Sequence, residues 1–157
     1  MHPNLQSMTD KQFLMRGKLI SHIIFLERCI DEYIVKYFCN EEEKRLELMR
    51  VIISTKKITL DSKKEVLLYL IKNYAPELKK EYPTLNADLT DIIEERNRLA
   101  HYVLSATKEE IENYDGVVRL ANFKNDIEIV LYDDDRINKL DDKVQKYIAV
   151  IHKLVNS

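Results

Sequence analysis

"EERNRLAHYVL", from Glu94 to Leu104, is the stretch on which the reading of this chain turns. The residues before it, Leu85, Leu89, Ile92 and Ile93, recur at helical spacing, and Leu99, Ala100 and Val103 continue that spacing. The expected element is a long helix from about Leu85 to Leu104. Arginine, asparagine and histidine interrupt its apolar run. At roughly 100° per residue, Asn97 and His101 share one face, and Arg96 falls inside the arc of Ile92, Ile93, Leu99 and Ala100. This reading puts Arg96 within the apolar stripe and Asn97 and His101 along its edge.

Outward from this helix, the chain reads as helix after helix. Thr9 is the expected N-cap of a first helix reaching Phe38 or Cys39, with Phe13, Ile20, Ile23, Ile24, Ile30, Ile34 and Phe38 as its stripe and Glu27 inside it. "NEEEK" opens a second helix, its carboxylates in the first turn where the helix dipole favours them. Leu46, Met49, Val51, Ile52 and Ile53 are its apolar residues, and it ends near Ser54. A third helix runs from Leu60 or Asp61 to Tyr74, where Ala75-Pro76 breaks it, and "PELKKEY" makes a turn or two before Pro83.

Past His101 the pattern changes. Thr107 to Glu110 has the form of a capping box, opening a short helical piece that ends near Tyr114. Asp115-Gly116 is a turn. "VVRLANF" and "IEIVLY" flank Lys124-Asn125-Asp126 as a β-hairpin. "DDD" caps a last helix carrying Ile137, Leu140, Val144, Tyr147, Ile148, Ile151 and Leu154. The expected fold class is mainly α: an antiparallel helical bundle of about five helices with one β-hairpin before the C-terminal helix. It forms a single domain over 1–157, with a core over about 9–105 and the hairpin and last helix over about 115–156.

The totals agree. The 157 residues suit one core, and 45% hydrophobic with 33% charged residues is a globular composition. Two glycines and three prolines disfavour a turn-rich fold. A net charge of -2 and a pI near 6.1 leave no global basic field, so any nucleic-acid contact relies on a local patch. Cys29 and Cys39 fall in one helix about 15 Å apart, too far for a disulfide; two reduced thiols in a cytoplasmic protein are expected. No secretion signal and no membrane span are read.

A histidine, an arginine and an amide near a helix end can handle a phosphate. Histidine moves a proton near neutral pH. Arginine offers a planar fork to phosphate oxygens and to developing charge. Asparagine orients either. Other chemistries are missing: His2, His22, His101 and His152 show no metal-ligand spacing with cysteine, no glycine-rich phosphate loop exists, and "YDDDR" reads as a helix cap. No metal and no cofactor are therefore expected.

The run Arg96-Asn97-Arg98-Leu99-Ala100-His101 resembles the R-x4-6-H signature of HEPN domains, in the form where Asn follows the Arg. A long first helix with an acidic residue in its stripe, a helix pair and a motif helix ending in "RNxxAH" are similar to the HEPN layout from about Leu19 to Leu104; the hairpin and last helix lie outside it. The resemblance implies a helical homodimer acting as a metal-independent endoribonuclease in toxin–antitoxin or phage-defence systems, with Arg and His lining a cleft between protomers. On that basis Arg96 would stabilise charge on phosphorus, and His101 would act as base or acid on attack by the 2′-hydroxyl, leaving a 2′,3′-cyclic phosphate. Asn97 would orient the site.

Alternatives stay open at this point. In a purely structural reading Arg96 pairs with a buried Glu27, Asn97 caps the helix and His101 satisfies a carbonyl. Glu27 then supports Arg96 as an ion-pair partner. Arg98 faces either RNA or solvent, and Tyr102 either stacks on a base or packs. A non-catalytic helical interaction module, binding an antitoxin or another partner protein, is the second function. Transcriptional regulation is a third, though no basic recognition helix is evident.

Overall fold

The computed structural model describes residues 2–124 and 127–156. The chain is mainly helical, with a small antiparallel sheet of three strands. The expected hairpin loop includes Asn125 and Asp126, which lie outside the described residues.

Helix α1 spans Pro3–Phe38, seven residues longer at its start than a cap at Thr9 implied. His2 is the cap, its Nδ1 accepting from the Asn4 N–H at 3.2 Å, and Pro3 occupies the first helical turn, where its missing N–H costs nothing. Thr9 instead turns its hydroxyl onto the Leu5 carbonyl. The buried stripe is Met8, Met15, Leu19, Ile23, Leu26, Ile30 and Ile34; Phe13, Ile24 and Phe38, expected in the core, are exposed.

Helix α2 (Glu42–Leu48) continues as one widened π-turn over Met49–Ile53. Only Met49 of its apolar residues is buried, and Leu46, Val51 and Ile52 face out. Helix α3 (Leu60–Tyr74) is capped by Thr59, whose hydroxyl accepts from the Ser62 N–H. Short α4 (Pro76–Glu81) leads to α5 (Leu85–His101).

Helix α5 stops earlier than its sequence suggests. Tyr102 is already extended, and Val103–Leu104 form strand β1, which pairs with Ala121 and Leu120. The hairpin β2 (Val118–Asn122) and β3 (Glu128–Tyr132) is thus two-thirds of a sheet ordered β1-β2-β3. Leu104, Leu120 and Val130 stand in one row across it. With Leu120 and Val130 buried, that row turns its side chains inward, and β1 satisfies the inner edge of β2.

Between β1 and β2, α6 (Lys108–Glu112) has the capping box, with Thr107 and Glu110 each bonding the other's backbone N–H. Gly116 turns the chain at φ +84°, where a side chain would be strained. Asp133 caps α7 (Asp134–Val155) by accepting from the Arg136 N–H at 2.8 Å. Helix α1 contacts α3, α5, α7 and β2, and α5 also contacts α3 and α7. The core lies among them, built on Leu19, Ile23, Leu67, Leu70, Ile92, Leu99, Val144 and Ile151. Fully burying each such side chain is worth about 1.5–3 kcal/mol. No helix among the described residues is long and apolar enough to cross a membrane.

Candidate functional site

The buried side chains of α5 are Leu85, Leu89, Ile92, Glu95 and Leu99. This stripe shares Leu85, Leu89, Ile92 and Leu99 with the expected one but includes Glu95. Ala100 is exposed, and Val103 belongs to a strand; counting both as core-facing had tilted the arc toward Arg96. Glu95 takes the inward position. Arg96, Asn97 and His101 are all exposed.

Glu95 is only 4% exposed, so its charge needs partners. Its Oε1 accepts from Arg98 Nη1 at 2.8 Å and from Arg136 Nη2 at 2.6 Å. Its Oε2 accepts from the Tyr132 hydroxyl at 2.7 Å. The Arg136 guanidinium also sits 4.8 Å above the Tyr132 ring. Burial, together with the neighbouring Glu95 carboxylate, pushes the Tyr132 hydroxyl far above its ordinary range. Glu95 thus ties α5 to α7 through Arg136 and to the sheet through Tyr132, and Arg98 is a half-buried side chain held by Glu95 rather than a freely solvated one.

Arg96 is the opposite case. Its Nη1 donates to Asn97 Oδ1 at 3.1 Å, and it meets no carboxylate among the described residues. The expected ion pair with Glu27 is absent. Glu27 is half-buried, and its Oε1 accepts from Lys63 Nζ at 2.6 Å. Lys63 is 3% exposed and also binds Asp31, donating to Oδ2 at 3.0 Å. Asp31 Oδ1 lies 2.9 Å from the same nitrogen but makes no hydrogen bond. Burial raises the Asp31 carboxyl above its usual range, with Lys63 pulling the other way. Asp31 sits one helical turn beyond Glu27, so the sequence did carry this signal: two acids four apart on the inner part of α1 require a buried cation, and Lys63 is the one that reaches them.

The motif residues open onto two hollows. His101 and Asn97 line one of about 350 Å³, together with Glu94, Arg98, Tyr102, Asn122 and Lys124. Arg96 lines the other, about 550 Å³, beside Ile24, Glu27, Arg28, Lys56 and Lys63. The Arg96–Asn97 bond bridges the two. His101 has no hydrogen-bond or ion-pair partner among the described residues, so it satisfies no carbonyl. Tyr102 is held at both ends: its carbonyl accepts from Arg16 Nη2, and its hydroxyl donates to Glu128 Oε2 at 2.5 Å. The hairpin residues Asn122 and Lys124 were not foreseen as part of the site, because no local pattern connects them to a helix end some twenty positions earlier.

His22 is structural: its Nδ1 lies 2.6 Å from Asp141 Oδ1 and 2.9 Å from the Gln145 amide. Burial would raise the Asp141 carboxyl, but bonds from Lys18 and His22 outweigh it and bring it below its usual range. Among the described residues no group of three or more His, Cys, Asp or Glu side chains is placed to hold a metal ion. Comparison of the chain with models of known protein families, with curated proteins and with solved structures gives no match in any of the three.

Proposed function

We propose that this chain is an HEPN-like, metal-independent endoribonuclease of a toxin–antitoxin or phage-defence kind, its helices arranged as an antiparallel bundle and its active site formed at a homodimer cleft. One observation carries the reading: Arg96 is exposed with no carboxylate partner, whereas Arg98 and Arg136 are both bound by Glu95. An arginine left without a counter-charge, on the same helix as an unpartnered histidine, suits an anion that arrives from outside.

In this reading His101 accepts the proton of a ribose 2′-hydroxyl as its oxygen attacks the adjacent phosphorus. The bond from phosphorus to the 5′-oxygen breaks, and the departing oxygen takes a proton from the His101 of the second protomer. The products are a 2′,3′-cyclic phosphate and a 5′-hydroxyl. Arg96 meets the charge that builds on the phosphoryl oxygens, with Asn97 holding its guanidinium. Because Arg96 and His101 open onto different hollows of one chain, a site shared between chains fits this chemistry better than a site within one.

The test is incubation of the protein with single-stranded RNA in EDTA, followed by analysis of the ends. Cyclic phosphate ends, lost in Arg96→Ala and His101→Ala, support the proposal. Intact RNA contradicts it.

A second reading, a non-catalytic partner-binding module, is favoured by a different observation. Leu14, Ile24 and Phe25 are more than half exposed on α1, and such residues serve a protein partner as well as a second copy.

A further inference from the structure

The geometry points to the His101 hollow as a subsite for one nucleotide of single-stranded RNA, with the hairpin residues Asn122 and Lys124 as its second wall and a preference for bases that present carbonyl oxygens. The inference rests on the ribonuclease reading and adds a substrate preference to it.

Size comes first. At about 350 Å³ the hollow is near the lower limit of small-ligand sites, roughly 300–1,000 Å³. It suits one base with its phosphate. Its flat surfaces are already fixed. The Tyr102 hydroxyl is bound to Glu128, so the ring is anchored at its far end, and Arg98 is held by Glu95. Immobile planar groups lose little freedom when a base stacks on them.

The polar groups decide what is read. Asn97 Oδ1 is occupied by Arg96, and Asn122 Oδ1 by the backbone N–H of Lys124, at 3.1 Å each. Those bonds orient both amides and leave their NH₂ groups to donate. The Lys124 ammonium donates only and has no ion-pair partner among the described residues. Glu94 is the one carboxylate in the lining, 3.8 Å from Arg98. The hollow therefore offers donors and calls for acceptors: phosphate oxygens for Lys124, base carbonyls for the amides. Uracil presents two carbonyl oxygens, whereas adenine presents none and adds an amine. The base edges are open only in single strands. Stacking alone would favour adenine, the larger ring, so the predicted order runs against it.

The experiment uses the full chain with short fluorescent 2′-O-methyl oligouridylate and oligoadenylate, which bind without being cut because the attacking oxygen is blocked. Oligouridylate should bind about tenfold more tightly. Lys124→Ala should weaken both by about tenfold, Lys124→Arg should restore most of it, and Asn122→Ala should remove the preference. Neither residue is part of the core, so thermal melts should match the parent. Absence of binding by the parent, equal binding of the two oligomers, or variants that bind like the parent would overturn the inference. Preferential binding without cleavage of unmodified oligouridylate sinks the ribonuclease reading and leaves the subsite standing. Equal cleavage of both bases, unaffected in the two alanine variants, does the reverse.

Discussion

Arg96 donates to the neutral side-chain oxygen of Asn97 at 3.1 Å, and no carboxylate pairs with it among the described residues. Two positions later, Arg98 is bound to buried Glu95 at 2.8 Å. Two arginines on one helix thus have opposite surroundings, and their removal should have opposite consequences.

Glu95→Ala should destabilise the fold by about 2–4 kcal/mol, since it leaves Arg98, Arg136 and the Tyr132 hydroxyl without their common acceptor. Arg96→Ala should lie within about 0.5 kcal/mol of the parent, as for surface changes away from special features. Urea unfolding of the two variants compares them directly. Equal losses would mean that Arg96 has a structural partner.

The Tyr132 hydroxyl makes stability fall in alkali. Its folded-state value is raised well above that of the unfolded chain, about 10. The contribution is therefore complete below pH 10 and is lost as pH rises through the folded-state value. Unfolding free energy followed from pH 8 to pH 11 should drop less in Tyr132→Phe than in the parent. Parallel curves would show that Tyr132 titrates as it does in the unfolded chain.

The Lys63 cluster predicts an acid-side effect of the opposite kind. Lys63→Ala leaves Glu27 and Asp31 facing each other without a cation, at a cost of about 3–5 kcal/mol near neutrality. Burial already raises the Asp31 carboxyl, and losing Lys63 raises it further. A raised group favours the protonated folded state, so the deficit should shrink as pH falls toward the Asp31 value. A deficit independent of pH between 4 and 7 would argue against a buried Asp31 carboxylate held by Lys63.

These contrasts also mark how far the sequence could be read. Helix bounds at Phe38, Tyr74 and the Thr107–Glu110 capping box were legible, because caps, Pro76 and apolar spacing are local signals. The inward residue of α5 was not. Ala100 and Val103 are apolar by type but carry no core weight here, and without them the stripe centres nearer Glu95 than Arg96. Strand β1 escaped notice since a pair of residues has no period to detect; it exists by pairing with β2, far along the chain. Buried ion clusters were misassigned for the same reason. Glu27 was visible as an acid within a stripe, but its cation comes from α3, which no spacing on α1 reveals.

The exposed α1 residues give the dimer its own test. Ile24 lies beside Arg96 in the larger hollow and is 58% exposed. Under the proposal it faces the second protomer. The parent should sediment as a dimer at micromolar concentration, and Ile24→Glu should sediment as a folded monomer without RNA cleavage. A monomeric parent would remove the shared site.

The most direct measurement is the single-turnover rate of single-stranded RNA cleavage in EDTA, for the parent, Arg96→Ala and His101→Ala at equal folded concentration. The parent rate should vary across roughly pH 5 to 8, because the proton transfer belongs to a histidine. Both variants should lose about 10²–10⁴-fold in rate while keeping the parent's stability and oligomeric state. A parent that cuts no RNA anywhere in that range, or variants that cut as fast as the parent, would contradict the ribonuclease proposal.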